Sequence, residues 1–378
     1  MPFWVLMLVA LLNHSSFKAN KVLVSLFAID LGTSPATIGM LYAMYSLLPA
    51  LLSVTAGKVS DRYGFRGPVM VSCAGVMLSL ILPFFFPTLG VLFVTAGVAG
   101  MCNIFYVVAI QHAIGTFAQG PARTRNYSLF GICVGVSALI GPVVTGFAID
   151  SIGHRAAFLV IAAFPAVTLL MLATRPAPAP HAGLQTGSRR RGKVVDLLRE
   201  APLRRVLIAT AFLETGMELF SFLMPIYGSS IGLSASQIGI VMGAFAMAMM
   251  VVRALMPHLV RRSSEERVFG GSMLVAAVAS LAFPAVSGFA ALLAISFVLG
   301  LGLGCGAPLS MALSYNRSPE GRAGEAIGLR QTVNKTMETL SPALFGVLST
   351  AVGIAPVYWL GAVVLASGGW MMRRDARR

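Results

Sequence analysis

Apolar residues in this chain gather into long runs of about 20, each enough for a helix to cross the hydrocarbon core of a bilayer. Twelve such runs are assigned, at 4–30, 36–57, 67–87, 89–117, 127–149, 155–174, 206–230, 235–258, 267–287, 289–315, 324–351 and 355–372. The loops between them are short except for residues 175–205, "RPAPAPHAGLQTGSRRRGKVVDLLREAPLRR", a Pro-rich and then basic stretch with a short amphipathic helix expected near Val194–Arg199. The pattern predicts an all-α membrane protein in three parts. They are an N-terminal six-helix bundle over 1–174, a linker over 175–205 and a C-terminal six-helix bundle over 206–378.

Composition agrees. Of 378 residues, 57% are hydrophobic and only 11% charged, against about 25% charged in a soluble protein. The net charge of +15 would suit nucleic acid if the bases formed a patch. They fall instead in the loops of one side: Lys58, Arg62 and Arg66; Arg123 and Arg125; Arg189, Arg190, Arg191 and Lys193; Arg261, Arg262 and Arg267; Arg317 and Arg322; Arg373, Arg374, Arg377 and Arg378. The opposite loops hold almost none, Arg155 being the clear exception. The basic side is read as cytoplasmic, which places both termini and the linker inside. Cys73, Cys102, Cys133 and Cys305 all lie in apolar runs without the pairing of a disulfide framework or a zinc site. The first run lacks a basic leader and a cleavage signal, so it is expected to be a retained helix.

A gapless shift of 200 residues reveals an internal repeat. "TSPATIGMLY" from Thr33 falls on "LSASQIGIVM" from Leu233, "IGPVVTGF" from Ile140 on "LSPALFGV" from Leu340, and Gly100 on Gly300. This is the duplication of transporter folds built from parallel repeats.

"GKVSDRYGFRGP", residues 57–68, joins the second span to the third. It resembles the loop signature of the major facilitator superfamily through Gly57, Ser60, Asp61, Arg62, Gly64 and Arg66, with Val59 and Phe65 departing from the pattern. "GVSALIGPVVTG", residues 135–146, resembles the glycine–proline motif of that family's antiporters, through Gly141, Pro142 and Gly146. The resemblance implies a twelve-helix major facilitator fold of the antiporter or efflux branch, in a bacterial-type inner membrane. It further implies that Asp61, with Gly57, Arg62, Gly64 and Arg66, forms a latch on the cytoplasmic side. Glycines at 57 and 64 allow tight turns there. Gly141, Pro142 and Gly146 are read as a hinge or seal, or as helix packing. One departure stands out. The arginine usual in the fourth span of such antiporters is missing, and "VTAGVAGMCN" carries Ala96 near that place.

The first span contains "NHSSFKANK", residues 13–21. His14, Lys18 and Lys21 are four and three residues apart and share one helix face, extended by Ser25. A charge near mid-membrane costs about 2.5–3.5 kcal/mol on insertion scales, so Lys18 should face a cavity or a partner. The shift of 200 turns His14 into Glu214, Lys18 into Glu218 and Lys21 into Ser221. The resemblance implies that both stripes line the central cavity, Lys18 facing Glu218; a merely structural ion pair is the alternative. Asn334, Lys335 and Glu338 in "LRQTVNKTMETLSP" join the candidates, Lys335 and Glu338 able to pair at i,i+3. Arg330 in that segment is expected near the cytoplasmic end. Asn103 and Tyr106 in the fourth span are further pathway candidates, and Arg253 faces either the cavity or the cytoplasmic rim.

No phosphate-binding loop or metal constellation is present in the sequence, so no cofactor and no enzyme activity are expected. The sequence predicts a secondary transporter, monomeric, with a small organic anion or zwitterion and protons as partners, the bilayer as its medium and no nucleic acid. Export is expected from the antiporter-like motif. The alternatives are proton-coupled uptake of an organic anion or amino acid, and a non-transporting receptor or assembly subunit.

Overall fold

The computed structural model describes residues 3–116, 121–174, 194–319 and 322–375. In chain order the helices are α1 (Phe3–Asp30), α2 (Pro35–Tyr63), α3 (Arg66–Phe85), α4 (Leu89–Thr116), α5 (Pro121–Ala173), α6 (Val194–Leu197), α7 (Ala201–Ser230), α8 (Ala235–Arg262), α9 (Glu265–Ala282), α10 (Phe289–Gly304), α11 (Gly306–Asn316), α12 (Ala323–Val352) and α13 (Ile354–Asp375). No strand occurs among the described residues.

Nine stretches among these residues are long and apolar enough to cross a membrane. One of them holds two crossings, because α5 turns at Gly153, where φ is 79°. α1 and α12 are as long, at 28 and 30 residues, but polar side chains dilute their apolar character. The all-α membrane architecture read from the sequence is present, and the helices are consistent with twelve segments. The basic linker lies outside the described residues up to Lys193, and α6 forms where a short helix was expected.

Helix ends depart from the apolar runs. α2 continues six residues past the expected stop at Gly57, so Gly57 lies inside a helix with open space beside it and makes no turn. The hydrogen-bond ladder ends only at Gly64, whose φ of 68° stops the helix. α7 likewise starts five residues before the expected position, at Ala201.

The repeat is visible in the backbone. Gly32 (φ 73°) and Gly232 (φ 79°) make the same turn, with Thr33 N–H bonded to Ala28 O at 3.1 Å and Leu233 N–H to Gly228 O at 2.9 Å. Gly153 and Gly353 repeat another. Gly100 presses on the carbonyl of Tyr45, and Gly300 on that of Phe245. Each pair is 200 residues apart.

The helices sort into two compact units, Met1–Gly183 with Met224–Gly243, and Leu184–Leu223 with Ala244–Arg378. In the first, α1 lies along α5, α2 on α4, and α3 against α4 and α5. Lipid is as apolar as leucine, so close packing and buried hydrogen bonds must hold helices together. Asn13 shows how. Its Nδ2 donates to Thr168 Oγ1 at 3.0 Å, and its Oδ1 accepts from Cys73 Sγ at 3.1 Å. Ser137 donates to Leu11 O (3.0 Å) and Thr145 to Ala19 O (3.2 Å), tying α5 to α1. In the second unit α9 packs on α13 and α10, and Phe220 stacks on Phe245 at 4.2 Å.

Candidate functional site

The polar run of α1 divides between two uses. Asn13, Ser15, Ser16 and Asn20 are buried against neighbouring helices. His14, Lys18 and Lys21 occupy another face. His14 Nδ1 lies 3.0 Å from Ala10 O and 3.3 Å from the Tyr106 hydroxyl, and its ring meets Phe130 edge-on at 5.4 Å. His14 and Tyr106, both singled out from the sequence, therefore touch. Asn103, one turn earlier on α4, is half-buried.

Lys21 is buried, 6% exposed, with its ammonium 5.8, 5.4 and 5.8 Å from the rings of Phe17, Tyr42 and Tyr45. This is a cation–π enclosure, which suits a charge taken out of water. Lys18 is half-buried, and its Cβ lies 2.9 Å from where a Cβ on Gly141 would sit. The same glycine accommodates the backbone of Ser15 and Ala19. Thus the glycine motif of α5 meets α1 at Lys18. Among the described residues the first unit's carboxylates, Asp30, Asp61 and Asp150, stand at or near helix ends, so its membrane interior is cationic.

The second unit carries the opposite emphasis. Glu214 of α7 is half-buried and within electrostatic reach of Glu218, one turn on, and of Arg330, Lys335 and Glu338 of α12. Arg253 of α8 also reaches Glu214 electrostatically while donating through Nε to Gly304 O at 3.1 Å. Lys335 and Glu338 pair at 2.5 Å, as their spacing predicted. Asn334 lies one turn before Glu338 and is half-buried. Arg330, expected to snorkel from near the cytoplasmic end, is instead 6% exposed and donates to Ser310 of α11 at 3.1 Å. It sits two turns inside α12, where its guanidinium finds an internal acceptor.

In α5, Gly146 lies against the carbonyl of Ala235 and the Cα of Ser236, and Pro142's carbonyl lies against Gly239 of α8. Gly243, one turn on, faces Val143 and Leu139. Any side chain on these glycines would strike backbone or a packed neighbour. At the second-to-third span loop, Arg66 donates to Leu172 O at 2.7 Å and to Ala173 O at 3.4 Å, closing the C-terminal end of α5. Arg62 lies over the Tyr63 ring at 5.4 Å. The Asp61 side chain lies outside the described residues.

A family model for the major facilitator superfamily matches residues 6–265 and 206–378. The chain belongs to the major facilitator superfamily. It is a membrane transporter, not an enzyme. It is 22% identical over 347 residues to the quinolone resistance protein NorA of Staphylococcus aureus, spanning 89% of this chain and 87% of that one. It is 31% identical over 133 residues to the class C tetracycline resistance protein of Escherichia coli, 35% of this chain and 33% of that one. Its fold is similar to that of the nucleoside transporter NupG, with a TM-score of 0.81, 11% identity and 98% and 99% of the chains covered. A bacterial homologue of the lysosomal transporter Spinster gives 0.75, with 14% identity over 99% and 95%.

Asp150 was missed by reading the sequence. It ends the membrane-crossing first part of α5, and its carboxylate accepts from the backbone of Ala235 and Ser236. The available signal was a carboxylate at a span end.

Proposed function

We propose that this transporter exports a small organic anion or zwitterion in exchange for protons, by alternating access. The observation that carries the reading is the similarity along 89% of the chain to a protein named for quinolone resistance. The class C tetracycline resistance protein, similar over a shorter stretch, supports it. The division of charge supports the substrate class. Lys18 and Lys21, on a helix face without carboxylates, suit an anionic group. Glu214 and Glu218, on one face of α7, suit a proton carrier, with Arg253, Arg330 and Lys335 near Glu214 to respond when it changes charge. His14, Tyr106, Asn103, Asn334, Lys335 and Glu338 complete the pathway. The Asp61 loop acts as a cytoplasmic latch, and Gly141, Pro142 and Gly146 as a seal. The protein sits in the inner membrane as a monomer with both termini cytoplasmic.

A second reading is proton-coupled uptake of an organic anion or amino acid. Ala96 favours it, standing fully buried where the antiporter arginine is absent. Purified protein in proteoliposomes separates the two. A substrate gradient drives protons the opposite way in exchange and the same way in uptake. A deletion strain screened for gained sensitivity to antibiotics and other organic acids supplies the substrate.

A further inference from the structure

The first turn of α8 has all its free amides engaged. Ser234 and Gln237 serve each other, Ser234 N–H donating to Gln237 Oε1 at 3.0 Å and Gln237 N–H to Ser234 Oγ at 3.3 Å. This is a reciprocal cap. It leaves the amides of Ala235 and Ser236, which an isolated helix cannot satisfy. Asp150 of α5 takes both, Oδ1 from Ala235 at 3.1 Å and Oδ2 from Ser236 at 2.8 Å. A carboxylate there also meets the positive end of the α8 dipole.

The contact lies at the end of the α5–α8 seam. Gly146, one turn before Asp150, rests on Ala235 and Ser236, and Pro142 and Val143 rest on Gly239 and Gly243. All of these residues belong to the first compact unit. The seam itself is shape fitting shape, with little to hold it if it parts. Asp150 supplies the directional, charge-assisted attachment, and being exposed it can exchange these amides for water. The repeat shows that this is not a general need of the fold. A shift of 200 puts Thr350 at Asp150 and Pro35 at Ala235, so the counterpart lacks both the carboxylate and one amide.

We propose that Asp150 is a positioning residue of the transport cycle, a clasp that holds the start of α8 on α5 while this end of the seam is closed and releases it when the seam opens. The proposal rests on the reading of α5 as a seal.

The test is the rate at which a membrane-impermeant maleimide labels Val143→Cys, which faces α8 inside the seam. It is measured in intact cells and in inverted vesicles, with the parent chain as background. Asp150→Ala is expected to raise the rate about 2- to 5-fold, the range of a helix-end charge, and Asp150→Asn, which keeps one acceptor, by less. Ala235→Pro removes one amide at a helix position that tolerates proline and should also raise it. If Asp150→Ala does not reach the membrane, the other two variants decide. Equal labelling in every variant that reaches the membrane overturns the proposal, as does Ala235→Pro behaving like the parent while Asp150→Ala labels fast. Faster labelling with unchanged flux keeps the clasp and overturns the seal.

Discussion

The ammonium of Lys21 sits 5.4 Å from the centre of the Tyr42 ring, with Phe17 and Tyr45 on other sides. The electron-rich faces of aromatic rings attract an ammonium buried among them. Tyr42→Leu should therefore lower stability by about 1–2 kcal/mol. Lys21→Met, whose stem fits the same space, should fold at least as well but lose transport of an anionic substrate. Thermal melts and flux at matched expression check both; normal flux in Lys21→Met would return the residue to a purely structural role.

Glu214 and Glu218 share a face of α7, and Glu214 lies within electrostatic reach of α12 and of Arg253. Glu214→Gln should abolish proton movement while leaving substrate exchange. Glu218→Gln should reduce coupling by less. Substrate-driven proton flux and counterflow in proteoliposomes distinguish them, and full coupling in Glu214→Gln would move the proton site elsewhere.

Gly146 and Gly239 meet backbone of the facing helix, which cannot step aside as a side chain can. Gly146→Val should cost about 1–3 kcal/mol, the range for overpacking. Gly57→Val, in open space inside a helix, should instead gain the helix propensity difference, a few tenths of a kcal/mol. Melting temperatures in detergent give the comparison.

Arg66 closes the last turn of α5 through the carbonyls of Leu172 and Ala173. Arg66→Ala should destabilise by about 1–3 kcal/mol, the range for a charged hydrogen-bond donor. Asp61→Asn, if Asp61 acts as a latch, should instead cut flux with protein levels unchanged. A loss of stability without loss of specific flux for Arg66→Ala, and the reverse for Asp61→Asn, would separate structural from conformational roles within one loop.

From the loop charges, the linker and the C-terminus are expected in the cytoplasm. Reporter fusions at Ala182 and Arg378 should both read as cytoplasmic; one periplasmic signal would break the topology.

Sequence by itself determined the all-α membrane class, the repeat and the membership of His14, Lys18 and Lys21 in one face and Glu214 and Glu218 in another. These follow from run length and the 3.6-residue period, which are local. It also carried the family, because the 57–68 loop is contiguous. What it could not decide is which face of each helix meets protein. In a bilayer the lipid-facing and protein-facing sides are both apolar, so the contrast that orients a helix in water is missing. Only the tertiary structure separates Asn13, hydrogen-bonded between helices, from His14 beside it. Only there does Gly141 meet Lys18, Arg330 find Ser310, and Asp150 reach an amide 86 positions away in the chain. Those partners are set by packing of distant segments, and no periodicity along the chain encodes them.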